Sequence, residues 1–219
     1  MKPEIKEQMA YWDSEADSFQ KIYSHEKSRF SIWLDKFFRK DMYDRFLFTL
    51  EQCVPIEQRT FLDVGCGNGL YSVELALRGA KRVTGVDIAG NMLELCKQSA
   101  AAKGVTDRCL FLQTDLLEYQ PQEPVDVTIG IGLFDYIQDP VPVLSKMRRV
   151  TTTKAILSFP RFWTWRAPIR KIRLALKGCP VFFYSRSRLS SLLYEAGFQH
   201  LEVHKIGKLF CVVAYTYDR

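Results

Sequence analysis

The sequence lacks the features that would assign the chain to a membrane-spanning, secreted or metal-binding class. No apolar run approaches the roughly 18 residues needed to cross a bilayer. The first 19 residues carry acids and bases but no apolar stretch of the kind found in secretory signals, so we expect a cytoplasmic protein. The six cysteines form no C-x-x-C pair, and most lie inside apolar segments. This pattern predicts buried free thiols, with neither a metal site nor a disulfide framework.

The composition is that of one folded domain with a small appendage. The 219 residues are 47% hydrophobic and 26% charged, which excludes intrinsic disorder as the main state. Residues 140–194 hold twelve Lys or Arg and no acid, so the rest of the chain carries −6 within an overall net charge of +6. This asymmetry predicts either an anionic partner on one side of the molecule or a solvated basic face.

Short apolar runs alternate with amphipathic segments through the middle of the chain. Such alternation predicts a parallel sheet with helices on both faces. Two further apolar runs follow, separated only by Gly207 and Lys208, and a two-residue connection can join only antiparallel strands. The predicted strands are 60–64, 82–86, 110–113, 125–130, 154–159, 201–206 and 209–217, and the predicted helices are 70–77, 91–102, 141–150 and 187–196.

The sharpest motif is a glycine loop, FLDVGCGNG, at residues 61–69. Three alternating glycines between a strand and a helix allow a tight turn and let a ligand touch the backbone. No lysine follows them, which excludes a nucleoside triphosphate loop, and Gly69 comes one position early for a dinucleotide G-x-G-x-x-G. Asp63 would repel a pyrophosphate but suits a ligand with a positive centre and an amine, such as S-adenosylmethionine.

Acidic residues also end the next two predicted strands. Asp87 can accept hydrogen bonds from both hydroxyls of a ribose. Asp115 is placed to meet an adenine amino group, although a helix cap is an alternative role for it. Because open α/β sheets bind ligands at the carboxyl ends of their strands, these acids and the glycine loop predict one shared site.

These motifs, in order with VTGVDIAGNML, QTDLLEY and VDVTIGIGLFDYIQDP, resemble those of class I S-adenosylmethionine-dependent methyltransferases over residues 56–219. The resemblance implies an α/β fold, a three-layer α/β/α sandwich whose seven-stranded, mostly parallel sheet has its last strand antiparallel. It also implies S-adenosyl-L-methionine as cofactor. Outside the matched part, apolar residues recur at helical spacing between positions 30 and 38, and we expect residues 1–55 to form an N-terminal helical cap. Carried over position by position, the cofactor-binding residues are Asp63, Gly65, Cys66, Gly67, Asp87, Ile88, Met92, Asp115, Leu116 and Ile131.

The catalytic residues are less sharply defined by the sequence. Methyl transfer is an in-line displacement that depends on alignment and exclusion of water, and only an acidic acceptor needs a general base. Many members of the family carry a histidine where this chain has Tyr136, and our candidates are Asp135, Tyr136 and His25. The chain lacks the [DN]-P-P-[YF] turn of nucleic-acid amino methylases after its fourth strand, so we do not expect a nucleic-acid substrate.

Two segments outside the alternation, residues 1–55 and the insertion 160–184, are expected to form a lid over the acceptor. Their aromatic residues and nearby arginines favour a small, aromatic, anionic acceptor methylated on oxygen. The alternatives are an RNA, protein or lipid-like acceptor docked by the basic stretch 140–194, with peripheral membrane contact through 161–177, or a non-catalytic cofactor-binding regulator. The aromatic lid candidates are Tyr11, Trp12, Phe19, Tyr23, Phe162, Trp163, Trp165, Phe182, Phe183 and Tyr184.

Overall fold

The computed structural model describes residues 8–13, 29–162 and 181–217, with the backbone alone for 29–39. Within these residues, seven strands form one sheet in the order β3-β2-β1-β4-β5-β7-β6. Only β7 runs antiparallel to its neighbours in that sheet, which confirms the predicted fold class. The strands are β1 (Thr60–Val64), β2 (Arg82–Asp87), β3 (Cys109–Gln113), β4 (Val125–Gly130), β5 (Thr151–Pro160), β6 (His200–Ile206) and β7 (Leu209–Tyr215).

Helices cover both faces of the sheet and create two separate apolar cores. The helices are α1 (Arg29–Cys53), α2 (Leu70–Leu77), α3 (Gly90–Ala102), α4 (Val141–Val150) and α5 (Arg186–Glu195), and residues 8–13 are also helical. One core packs α1, α2 and α3 on the face that carries Phe61 of β1. The other core packs α4 and α5 on the face that carries Leu62. Because neighbouring side chains of a strand point to opposite faces, β1 contributes to both cores.

Two boundaries differ from the sequence-based predictions by more than one residue. β5 begins at Thr151, three residues before its predicted start, because α4 ends at Val150 and the chain enters the sheet at once. The three consecutive threonines at this point are β-branched residues that favour extended backbone. β7 ends at Tyr215, two residues earlier than predicted. The hairpin itself is confirmed, since Ile206 pairs with Leu209 across a two-residue turn.

Asp126 links two central strands of the sheet, β1 and β4. Its Oδ2 accepts hydrogen bonds from the backbone N–H of Thr60 at 2.8 Å and from the Thr60 hydroxyl at 2.9 Å. These bonds join the start of β1 to the start of β4, at the amino ends of the parallel strands. The role of Asp126 is therefore to hold two strands together, far from the strand ends where ligands bind.

The basic residues of 140–194 do not share one location in the described part of the chain. Arg148 lies near the beginning of β5, where its guanidinium donates to the carbonyl oxygens of Gly197 and Thr216. Arg161 follows the other end of β5 and donates to the carbonyl oxygen of Gly207. The two residues therefore lie at opposite ends of β5. Among the described helices, none combines the length and the apolar character that crossing a membrane requires.

Candidate active site

A cavity of about 910 Å³ lies at the carboxyl ends of the parallel strands. All ten predicted cofactor-binding residues line it, together with the catalytic candidates Asp135 and Tyr136. His25, the third catalytic candidate, lies outside the described residues. The volume is near the upper end of the range for small-molecule sites, which gives room for a cofactor and an acceptor side by side.

The glycine loop is held open by backbone hydrogen bonds to the neighbouring strand. Gly65 and Cys66 donate their N–H groups to the carbonyl oxygen of Val86 at 2.8 and 3.2 Å. Gly67 has a φ of +54°, and a side chain there would meet no atom within 4 Å because that position faces open space. A left-handed residue beside an empty volume is the arrangement that lets a ligand approach the backbone.

Asp63 occupies the end of β1 beneath this loop. Its Oδ2 accepts a hydrogen bond of 2.6 Å from the Ser72 hydroxyl on α2. Burial raises the pKa of Asp63 to about 7; the bond from Ser72 opposes this rise, and the charge of Asp87 adds to it. A carboxyl with such a pKa gains its negative charge readily when a cation binds nearby.

Asp87 connects the glycine loop to the beginning of α3. Its Oδ2 accepts from the backbone N–H of Gly67 at 2.8 Å, and its Oδ1 accepts from the N–H of Ala89 at 2.9 Å. Burial raises the pKa of Asp87, while these backbone bonds lower it. The carboxylate is therefore fixed in orientation at the end of β2, with lone pairs left over for a ligand's hydroxyl groups.

The third acid, Asp115, follows β3 at the far end of the same cavity. Its Oδ1 accepts the N–H of Leu117 at 2.9 Å, so it forms a turn and does not cap a helix. Leu116 beside it is buried, and Met92 is buried against Trp12 and Ala89. Met92 thus belongs to a small core cluster and also lines the cavity.

Two buried cysteines support the loop from below. The Sγ atoms of Cys66 and Cys96 lie 4.0 Å apart, and the Cys96 thiol donates to the carbonyl oxygen of Gly67 at 3.0 Å. Both cysteines are free, as are the other described cysteines, Cys53, Cys109 and Cys211. The predicted free thiols are confirmed for these residues, although Cys109 is only half-buried. Cys179 lies outside the described residues.

The N-terminal helical residues contribute Gln8 and Trp12 to the cavity lining. Gln8 donates to the backbone carbonyl of Tyr136 at 2.7 Å, and the Trp12 ring meets the Tyr136 ring edge-on at 5.1 Å. Asp13 accepts the backbone N–H of Asn91 at 2.9 Å. The segment is therefore attached both to the connection after β4 and to the start of α3. We call residues 8–13 the roof.

The predicted aromatic lid is only partly found at the cavity. Trp12 and Phe182 line it. Tyr184 is instead buried in the core, where its hydroxyl donates to the carbonyl oxygen of Phe134 at 3.1 Å, and Phe162 is 56% exposed. The structure corrects the prediction for these two, since the first satisfies its polar group inside the protein and the second faces solvent. Tyr11 and Phe183 do not line the cavity either. Phe19, Tyr23, Trp163 and Trp165 lie outside the described residues.

Sequence reasoning missed three charged residues that also line the cavity. Asp41 and Arg45 lie one turn apart on α1, and Lys208 belongs to the turn of the β6–β7 hairpin. The Lys208 Nζ lies 3.4 Å from the Asp41 Oδ2. No local signal could have found these residues, because a contact between positions 41 and 208 exists only after the whole sheet has formed.

The chemistry of the lining residues fits S-adenosylmethionine at the end of the cavity formed by β1, β2 and β3. That end presents the carboxyl groups of Asp63, Asp87 and Asp115 and the exposed backbone of Gly67. Acids suit an ammonium, a sulfonium, two ribose hydroxyls and an adenine amine, all of which are cationic or donate hydrogen bonds. A phosphorylated ligand would meet uncompensated negative charge in the same place.

Comparison with known proteins gives the same result. A family model described as a methyltransferase domain matches residues 57–197. The ubiquinone biosynthesis O-methyltransferase of Neisseria meningitidis serogroup A is 31% identical over 101 residues, which cover 45% of this chain and 42% of that protein. The tRNA U34 carboxymethyltransferase of Haemophilus influenzae strain PittGG is 30% identical over 122 residues, 54% of this chain and 36% of that protein. The match therefore spans less than half of each of these two curated relatives.

Among solved structures, the magnesium protoporphyrin IX methyltransferase of Synechocystis PCC 6803 with bound S-adenosylhomocysteine superposes with a TM-score of 0.76. The alignment covers 97% of this chain and 99% of that chain at 19% identity, which shows a common fold. Family match, fold and acid-lined cavity agree with the predicted family and with its cofactor, S-adenosylmethionine. The chain belongs to the methyltransferase-domain family and is a class I S-adenosylmethionine-dependent methyltransferase domain.

Proposed function

We propose that the protein transfers the methyl group of S-adenosylmethionine to an oxygen atom of a small, aromatic, anionic acceptor. The observation that carries the proposal is the cavity itself, which has an acidic end and is also lined by the cations Arg45 and Lys208. The curated relatives named above act on unlike acceptors, a ubiquinone precursor in one case and tRNA in the other, so their names do not fix the acceptor here. The first of them is an O-methyltransferase, which supports oxygen as the target.

The chain's own residues supply binding and alignment. When bound, S-adenosylmethionine supplies a methyl group already activated by a sulfonium. We propose that Asp87 holds the ribose, that Asp115 and Leu116 meet the adenine, and that Asp63 and the glycine loop hold the methionine part. Ile131 would offer its backbone near the methionine tail. Orienting both reactants in one closed site removes most of the entropic part of the barrier.

A general base is needed only if the acceptor oxygen carries a proton. Asp135 is buried and Tyr136 lies beside it, and both line the cavity where β4 ends. None of the described histidines lines the cavity: His200 and His204 lie on β6, each 3.9 Å from Glu202. We therefore propose Asp135 and Tyr136 as the groups that accept a proton from, or orient, the acceptor.

We further propose that residues 1–55 are a helical cap and that residues 160–184 complete a lid over the domain formed by residues 56–219. The roof and α1 both contribute to the cavity lining, through Trp12 and Arg45, and Phe182 lies at the end of the insertion. Enclosure of this kind excludes water from the reacting groups. Limited proteolysis provides the test: cofactor and acceptor together should protect both segments, and unprotected cleavage would contradict the lid.

An activity screen tests the proposed reaction. Purified protein and S-adenosylmethionine are incubated with a panel of aromatic carboxylic acids and phenols, with their neutral amides, and with transfer RNA, and release of S-adenosylhomocysteine is measured. We expect turnover with the aromatic anions, with methylation on oxygen identified by mass spectrometry of the product. Turnover confined to RNA or to protein substrates would contradict the proposal, and so would cofactor binding without any transfer.

A further inference from the structure

We infer that Arg45 and Lys208 form the subsite that binds the anionic group of the acceptor, with Asp41 as the internal partner that Lys208 gives up on binding. The inference rests on the proposed function and deepens it by naming the residues that select charge. We call these three residues the charged subsite. Their side chains line the same cavity as the cofactor-binding acids but belong to α1 and the β6–β7 hairpin.

Arg45 places its guanidinium over the ends of the central strands. A side chain at Gly132, which follows β4, would lie 3.7 Å from the Arg45 Nη1. Burial raises the pKa of the Cys211 thiol on β7 to about 11, and the charge of Arg45 opposes this rise, so the cation is also felt at that strand. The Arg45 Nε is itself buried, so this part of the guanidinium is enclosed by protein. A planar guanidinium suits a carboxylate or phosphate that accepts two parallel hydrogen bonds.

Lys208 is brought to the cavity by the hairpin turn. Gly207 has a φ of +53°, and a Cβ there would collide with the Asp41 carboxylate, so the turn packs directly against α1. Arg161 holds the turn from the other side by donating to the carbonyl oxygen of Gly207 at 2.9 Å. The position of Lys208 is therefore built into the fold, since two elements far apart in sequence fix its backbone.

The ion pair between Lys208 and Asp41 can be exchanged at low cost. Its side chains are 45% and 30% exposed, and ion pairs with this much exposure contribute little to stability because water screens them. An anion that also contacts Arg45 would gain charge-assisted hydrogen bonds that Asp41 alone does not provide. The charged subsite is thus closed by its own carboxylate until an acceptor anion replaces it.

Binding of simple probes tests the charged subsite. Protein saturated with S-adenosylhomocysteine is titrated with benzoate, phenyl phosphate and the neutral benzamide, with ligand-observed NMR as the readout. We expect wild type to prefer the two anions, and we expect Arg45→Gln to weaken both about tenfold or more. Lys208→Gln should weaken them by about threefold, in keeping with its greater exposure. Benzamide binding should be unchanged by both substitutions.

Two matched controls remove the same charge outside the cavity. Lys40→Gln lies on α1 and Lys205→Gln on β6, and both side chains are exposed and do not line the cavity. Equal anion affinity in the subsite variants and these controls would overturn the charged subsite. The proposed function would still stand if the wild type preferred benzoate to benzamide. A wild-type preference for benzamide would contradict both. Two checks distinguish loss of the subsite from loss of the fold. Arg45→Lys keeps the charge, and S-adenosylhomocysteine binding should be unchanged in the subsite variants.

Discussion

The two ends of the cavity are built in different ways. The cofactor end consists of loops that directly follow β1, β2 and β3, and its hydrogen bonds join residues within about one strand–helix unit, as between Gly67 and Asp87. The other end, which we propose binds the acceptor, is assembled from α1 and the β6–β7 hairpin, whose contacts join residues such as Asp41 and Lys208. One end is therefore set by short-range chain geometry and the other by the completed fold.

The largest effect that would sharpen this comparison is expected at Asp87. Asp87→Ala removes an acceptor for the Gly67 N–H and, as proposed, for both ribose hydroxyls, and hydrogen bonds to a charged group contribute roughly 1.5–3 kcal/mol each. We expect affinity for S-adenosylhomocysteine, measured by calorimetry, to fall about 100-fold. Lys208→Gln at the acceptor end should leave this affinity unchanged. Equal losses in both variants would show that the two ends are not separable.

The next effect is a pH dependence that belongs to the cofactor end alone. The pKa of Asp63 is raised to about 7 by burial, so below neutral pH this carboxyl is mostly protonated in the free protein. A cationic ligand group favours the ionised form and must displace the proton, so affinity rises as pH rises through 7. We expect affinity for S-adenosylmethionine to increase about tenfold between pH 6 and pH 8.

Variants of Asp63 and its neighbour check the source of that dependence. Asp63→Asn should flatten the profile and lower affinity at pH 8. Ser72→Ala removes the hydrogen bond that opposes the raised pKa, so the midpoint should move to higher pH. A profile that keeps its shape in Asp63→Asn would assign the titration to a different group.

The same contrast explains what could be predicted from sequence. Asp63, Asp87 and Asp115 each follow a recognisable apolar strand, and parallel strands bring their ends to one edge, so strand order alone gathers them. Arg45 and Lys208 carry no pattern that distinguishes them from other surface bases, since their meeting depends on how α1 lies on β7 and on a turn beside it. The prediction that Tyr184 belongs to the lid was wrong for a related reason, because an aromatic residue near a cavity is equally suited to the core.

A third effect separates stability from cofactor binding. Gly207→Ala forces a Cβ against the Asp41 carboxylate in a left-handed turn, and the left-handed conformation costs roughly 1–2 kcal/mol for a residue with a side chain. We expect a lower thermal midpoint and weaker benzoate binding, with S-adenosylhomocysteine affinity unchanged. Gly67→Ala is the counterpart at the cofactor end: it shares the left-handed backbone cost but its Cβ enters open space, so stability should fall less while cofactor affinity should fall. If both variants affected the cofactor equally, the hairpin turn would belong to the cofactor end as well.

The smallest effect is expected where the two ends meet, at the roof. Trp12 packs against Met92 on the cofactor side and lies edge-on to Tyr136 on the acceptor side, and aromatic pairs of this kind contribute about 0.5–1.5 kcal/mol beyond their buried area. Trp12→Ala should therefore weaken S-adenosylhomocysteine and benzoate by similar factors, about threefold to tenfold, in contrast to the one-sided losses above. Tyr43→Ala, which removes an aromatic ring that is 61% exposed on α1, serves as the control and should change neither affinity. A loss confined to one ligand would show that the roof serves only that end of the cavity.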